Sequence, residues 1–205
     1  YLEIPKLAAV VGGSMGGQQA LCWGVDFPEL AEGVVAMATA PRITNQSLAF
    51  DIVARNAILH DPSFRDGEYY ESGTGPDTGV AIARMIGHVT YLSQEAMARK
   101  FDVNRYQPRD VPTSFEKHFS VGSYLGYQGD RFVERFDANS YVTLTKAVDL
   151  YDLGDGHEEL VQAFTVSESR WLVISFTSDW LYPPFQSQEI VRALMAAGKR
   201  VSYCN

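Results

Sequence analysis

Six residues, Gly12-Gly13-Ser14-Met15-Gly16-Gly17, limit what this chain can fold into more than any other stretch. They follow an apolar run, Leu7 to Val11, and precede a segment with helical spacing from Gln18 to Phe27. A short continuous apolar run reads as a strand buried on both faces, so the expected order is strand, sharp turn, helix. The glycines have a steric purpose. The serine of such a turn sits in a strained conformation, and side chains on either side would collide with the neighbouring strand and helix. The turn lifts the Ser14 hydroxyl above the sheet edge. It also brings the Met15 N–H to the helix N-terminus, where it can stabilise an oxyanion.

A Gly-x-Ser-x-Gly string alone can be an ordinary glycine-rich turn. With a strand before it and a helix after it, the string matches the nucleophile elbow of the α/β-hydrolase architecture. The apolar stretch Gly33 to Ala40 supplies the next strand and completes a βαβ unit, with a right-handed crossover expected. Beyond Pro41 the character changes. Helical patterns run over Ser47–Leu59, Thr78 to about Leu92, Ser93–Phe101, Tyr127–Phe136 and Asn139–Tyr151, with Gly67 to Pro76 as a loop. Thr113-Ser114-Phe115-Glu116 has capping-box spacing and is expected to begin a further helical segment. About 120 residues of helix between two strands exceed a simple crossover, and an inserted helical cap is expected. Trp171 to Phe176 returns to strand character, Pro183-Pro184 opens a helix over Phe185–Ala197, and Val201 begins one more strand. The expected organisation is a mainly parallel α/β core over 1–42, a helical cap over 43–165, and the core continued over 166–205.

At 205 residues with a net charge of −8 and no basic run, the chain argues against nucleic acid or an anionic membrane surface as partner. No apolar stretch approaches the roughly 18 residues of a membrane span. The only cysteines, Cys22 and Cys204, suggest no disulfide framework, and a cytoplasmic setting is expected. The first residues run directly into a central strand and the last begin another, so a piece of a longer protein is expected.

Ser14 needs a base, and the base needs an orienting carboxylate; in this architecture the order is Ser, then Asp or Glu, then His. Asp179, just past the C-terminal end of a strand, suits the second role; the alternative is a cap for the helix after Pro183-Pro184. All four histidines, His60, His88, His118 and His157, precede Asp179. The base is therefore expected beyond Asn205, since a cap histidine would break the chain order. Asp152 to Glu159 surrounds His157 with carboxylates but matches no metal-ligand spacing; a solvated acidic loop and no metal are expected. Arg84, His88 and Tyr91 recur at i, i+4 and i+7 on one face of an apolar helix. A guanidinium and a phenol so placed can hold a substrate carboxylate, or they can be a surface arginine with ordinary core neighbours.

A resemblance joins these pieces. Gly-Gly-Ser-Met-Gly-Gly-x-Gln-Ala-Leu-x-Trp, Ala40-Pro41-Arg42, Ala83-Arg84-Met85-Ile86-Gly87-His88-x-Thr90-Tyr91, Tyr127-Gln128-Gly129-Asp130 through Phe136-Asp137-Ala138-Asn139-Ser140-Tyr141, and Thr177-Ser178-Asp179-Trp180-Leu181-Tyr182-Pro183-Pro184 resemble the homoserine O-acetyltransferase family, in that family's order. The resemblance implies ping-pong transfer of acetyl from acetyl-CoA through a seryl ester to L-homoserine in methionine synthesis. It implies Ser14 as nucleophile, Asp179 as triad acid, Arg84 and Tyr91 as substrate-binding residues, no bound cofactor, and a homodimer through the cap helices. Gln18 stands where the family usually has Met. Succinyl-CoA as donor, serine as acceptor, a plain esterase and a non-catalytic binding protein remain open alternatives. The 205-residue chain alone is expected to be inactive.

Overall fold

Four short strands, β1 (Val10–Gly13), β2 (Gly33–Met37), β3 (Arg170–Ile174) and β4 (Val201–Cys204), pair side by side in sequence order, all parallel. The computed structural model describes residues 3–108, 114–156 and 159–205. The register sets Val10, Val34, Trp171 and Val201 in one row and Gly12, Ala36, Val173 and Tyr203 in another. Side chains alternate across a strand, so both rows share a face. That face packs on α1 (Met15–Asp26), α7 (Leu160–Phe164) and α8 (Pro184–Ala196), with Leu21, Phe164, Ile190 and Leu194 fully buried. The Phe164 and Trp171 rings meet edge to face at 5.3 Å. Gly24 lets α1 approach the sheet, because a Cβ there would stand 2.3 Å from the Trp171 ring.

These elements form one compact unit, residues 1–44 with 148–205; residues 45–147 form a second. The second unit contains α2 (Asn45–Leu59), α3 (Asp77–Thr90), α4 (Gln94–Phe101), α5 (Ser120–Val133) and most of α6 (Ala138–Leu150). Its core is Ala54, Ile58, Val80, Ala83, Phe132 and Val142 with their neighbours. Helices α2 and α3 cross closely at Gly79, where a Cβ would fall 2.4 Å from the Ala57 carbonyl oxygen.

Several boundaries differ from the sequence expectation. Residues 148–165 belong with the sheet unit rather than the helical insertion, because Leu153 and Phe164 are part of the sheet's own core. The first boundary falls after Thr44 rather than after Arg42. The expected strand from Leu7 starts at Val10, with Leu7 making only an isolated bridge to Ala31. Nor is β1 buried on both faces: its burial alternates, and Val11 is 61% exposed. Helix α5 begins at Ser120, before the expected Tyr127, because two glycines (Gly122 and Gly126) mask its pattern. Phe115–His118 is a single 3-10 turn, and Ser114 makes no side-chain cap; Thr113, the expected cap, lies outside the described residues.

Candidate active site

Ser14 occupies the junction of β1 and α1 with φ 55° and ψ −124°, a conformation rare for any residue with a side chain. What holds it there is a set of backbone anchors. Its N–H reaches the carbonyls of Met37 and Ala38, at 3.0 and 3.1 Å. Its carbonyl accepts from the N–H groups of Gly17 and Gln18 and, at 2.8 Å, from the buried Thr39 hydroxyl. The side chain is left exposed, as the elbow geometry requires.

The glycines divide differently from the expectation. A Cβ on Gly12 would overlap the Gly16 carbonyl oxygen at 1.9 Å, and one on Gly17 would meet the Thr39 side chain at 2.6 Å. A Cβ on Gly16 meets nothing within 4 Å. Gly12 and Gly17 are thus the compelled positions, and the second glycine of the Gly-x-Ser-x-Gly string is not. Met15 opens α1, so its N–H is one of the first-turn donors that have no intrahelical partner.

Asp179 lies in the loop after β3, at the same end of the parallel sheet as Ser14. Its Oδ1 accepts from the N–H groups of Leu181 and Tyr182, both at 2.9 Å. It does not cap α8, whose N-cap is Pro183 and which has no side-chain cap. The turn that Asp179 holds carries Tyr182, which is buried, and the Ser14 Oγ lies 3.4 Å from the Tyr182 hydroxyl. Tyr182 and Thr39 are contacts of Ser14 that spacing did not single out. Tyr182 lies within the Thr177–Pro184 segment that carries part of the family resemblance, three residues past Asp179.

In the helical unit, Arg84 and Tyr91 do share a face of α3 and its end: the Arg84 Cζ lies 5.6 Å from the Tyr91 ring centroid. Tyr91 is exposed and Arg84 half-buried. The third member of that spacing, His88, sets its ring edge-on to Tyr91 at 5.7 Å and also reaches α5, with its Nδ1 2.8 Å from the Tyr124 hydroxyl. Burial, then Arg84 and Lys100, push the His88 imidazole below its ordinary pKa. His60 meets the Asn56 carbonyl, and His118 stacks on Tyr106. None of these three belongs to the unit that carries Ser14; His157 lies outside the described residues. Asp152 of the acidic loop pairs with Arg42 at 3.7 Å. Among the described residues no group of three or more His, Cys, Asp or Glu could hold a metal ion, and no helix is long and apolar enough to cross a membrane. Both cysteines are free.

A parallel sheet whose first strand breaks at a strained serine into a helix, with an acid after a later strand, defines the α/β-hydrolase class. The chain belongs to that family: the alpha/beta hydrolase fold model matches residues 1–203. Among curated proteins it is similar to the bifunctional methionine biosynthesis protein MetXA/MetW of Rhodopirellula baltica, 54% identical over 99% of this chain and 33% of the relative. It is 50% identical to a homoserine O-acetyltransferase of Rhodopseudomonas palustris, over 98% of the chain and 50% of the relative. It is 48% identical to a homoserine O-succinyltransferase of Acidithiobacillus ferrooxidans, over 99% and 53%. Among solved structures, homoserine O-acetyltransferase from Bacillus anthracis superposes with a TM-score of 0.84 at 26% identity, over 97% of this chain and 53% of that one. The chain therefore spans about half the length of most of the relatives it matches, and a third of the first.

Proposed function

We propose that this chain is part of a homoserine O-acyltransferase, with acetyl-CoA as donor and L-homoserine as acceptor, acting in methionine biosynthesis. The observation that carries the reading is the identity of about one half to homoserine O-acyltransferases along nearly the whole chain, with Ser14 exposed at the elbow. The Ser14 Oγ attacks the thioester carbonyl, the C–S bond breaks, and the Ser14 proton passes through the base to the departing CoA thiolate. The homoserine hydroxyl then attacks the seryl ester, gives its proton to the base, and leaves as the O-acyl product while Ser14 is restored. The Met15 N–H supports the oxyanion in both steps. Asp179 orients a histidine base supplied from outside residues 1–205, since no histidine follows it here. Arg84 and Tyr91 hold the amino-acid carboxylate. We further propose no resident cofactor, a homodimer and a cytoplasmic location.

The test uses the complete protein encoded by the gene. Incubated with acetyl-CoA or succinyl-CoA and no acceptor, it should gain one acyl group, located on the Ser14 peptide by mass spectrometry. Homoserine should then discharge it as acylhomoserine. Ser14→Ala should form no adduct and lose turnover by about 10⁴-fold or more. Release of free acid in place of acylhomoserine would support an esterase, and no adduct at all a binding protein. A succinyl adduct formed in preference to an acetyl one would replace the donor and keep the rest.

A further inference from the structure

We infer that Phe132 is a positioning residue for amino-acid recognition: its ring seats the Arg84 guanidinium in the orientation that receives the substrate carboxylate. The inference rests on the acyltransferase reading above and adds to it a residue, on another helix, that acts through Arg84.

The geometry is that of a built seat. The Arg84 Cζ lies 4.8 Å from the Phe132 ring centroid, closer than its 5.6 Å to Tyr91. Phe132 is only 6% exposed and has little freedom. Phe136 stacks on it with centroids 4.6 Å apart and planes 15° apart. Tyr141 from α6 sets its ring edge-on to both, at 6.2 and 6.3 Å. Arg135 also approaches the Phe132 ring, at 5.6 Å, so the ring works under two cations.

Arg84 in turn is incompletely satisfied. Its Nε is buried with no hydrogen-bond partner among the described residues. An unpaired buried donor is costly, and a cation over a ring recovers only part of that cost without neutralising the charge. An aromatic seat therefore does what a carboxylate neighbour would not. It holds the guanidinium without taking up its N–H donors, which suit two-point contact with a planar carboxylate. A positional constraint of this kind lowers the ordering cost of binding and should appear in affinity for the carboxylate-bearing substrate alone.

The experiment measures both half-reactions in the complete protein. Phe132→Leu should raise the KM for homoserine roughly three- to tenfold, the range set by a cation–ring contact. The rate of Ser14 acylation by acetyl-CoA, which involves no amino acid, should stay within twofold of the parent in the same sample. Phe132→Tyr, which keeps the ring, should restore the parent KM. In an Arg84→Ala background, adding Phe132→Leu should change the homoserine KM no further. A merely structural Phe132 would lower both half-reactions together and would act equally with or without Arg84. Should Phe132→Leu not fold, Phe132→Met removes the ring with less loss of volume and carries the same expectation. An unchanged homoserine KM in a folded ring-free variant, or an equal rise on the Arg84→Ala background, overturns the inference while leaving the acyltransferase reading intact. A parent protein that acylates Ser14 but never transfers to homoserine refutes that reading, and this inference with it.

Discussion

At the scale of single residues, the elbow concentrates strain on Ser14 and distributes its support among neighbours that are not themselves reactive. Gly17 is the sharpest case. A methyl group there would press on the Cβ, Cγ2 and Oγ1 of Thr39 at 2.6 to 2.9 Å, and Thr39 is the donor that holds the Ser14 carbonyl. Gly17→Ala should therefore lose about 2–4 kcal/mol, the sum of overpacking and a loosened buried hydrogen bond. Gly16→Ala, with open space around the new Cβ, should be neutral or gain up to about 1 kcal/mol from helix propensity. Denaturant unfolding of both variants in the complete protein separates the two outcomes; equal losses would mean that the elbow tolerates neither. Tyr182→Phe removes the hydroxyl 3.4 Å from the Ser14 Oγ and should slow Ser14 acylation by roughly two- to tenfold, the worth of one hydrogen bond. The elbow itself was legible because a serine among glycines, between a strand and a helix, has few other uses. That Gly17 is compelled was not, because the answer depends on Thr39, more than twenty residues away past the end of the next strand.

At the scale of elements, the N-terminus of α6 shows how a loop and a helix are joined by side chains. Asp137 accepts from the Ser140 N–H at 2.7 Å, in the manner of an N-cap. The Tyr69 hydroxyl donates to the other oxygen of Asp137 and accepts from the Ala138 and Asn139 N–H groups. The first three amide donors of α6 are thus all satisfied. Burial alone would raise the Asp137 pKa, but the hydrogen bonds from Tyr69 and Ser140 outweigh it and hold the carboxyl below its usual range. The sign follows: this stability is present above the unfolded carboxyl value of about 4 and is lost as pH falls through the lower folded value. Tyr69→Phe should lower stability by about 1–3 kcal/mol at neutral pH and move the acid transition of the helical signal to higher pH, as read by circular dichroism. An acid transition unchanged in that variant would show that Asp137 is held by the helix end alone. The helices α2, α3, α4 and α6 could be read from periodicity to within a few residues. The short α7 could not, since five residues carry too little pattern. The seat of Arg84 on Phe132 was hidden for another reason: it joins α3 to α5 across the unit, where no period along one helix can reveal it.

At the scale of the whole chain, the alternation of an α/β pattern with a long helical stretch correctly foretold a parallel sheet interrupted by an insertion. The exact division did not follow, because no pattern marks Leu153 and Phe164, which lie past the last helix read from periodicity, as part of the sheet's core. Among the described residues the sheet ends on two edge strands, β1 and β4, each of which pairs on one side only. Edge strands present unpaired N–H and C=O groups, and β1 adds the exposed Val11 to its edge. Asp179 meanwhile has no histidine among the described residues of its own unit, and the three described histidines each have ring or carbonyl neighbours in the helical unit. Residues 1–205 prepared alone should therefore form no measurable acylhomoserine from acetyl-CoA and homoserine, while the complete protein turns over. The isolated chain should also associate with rising concentration in size-exclusion chromatography, as open sheet edges favour. Substituting Val11 with Lys, a charge on that edge, should reduce the association without bringing activity, because edge pairing and the supply of a base to Ser14 are separate matters. Turnover by the isolated chain would mean that one of its own histidines serves Ser14, and the order of Ser, acid and base expected of this fold would not hold for it.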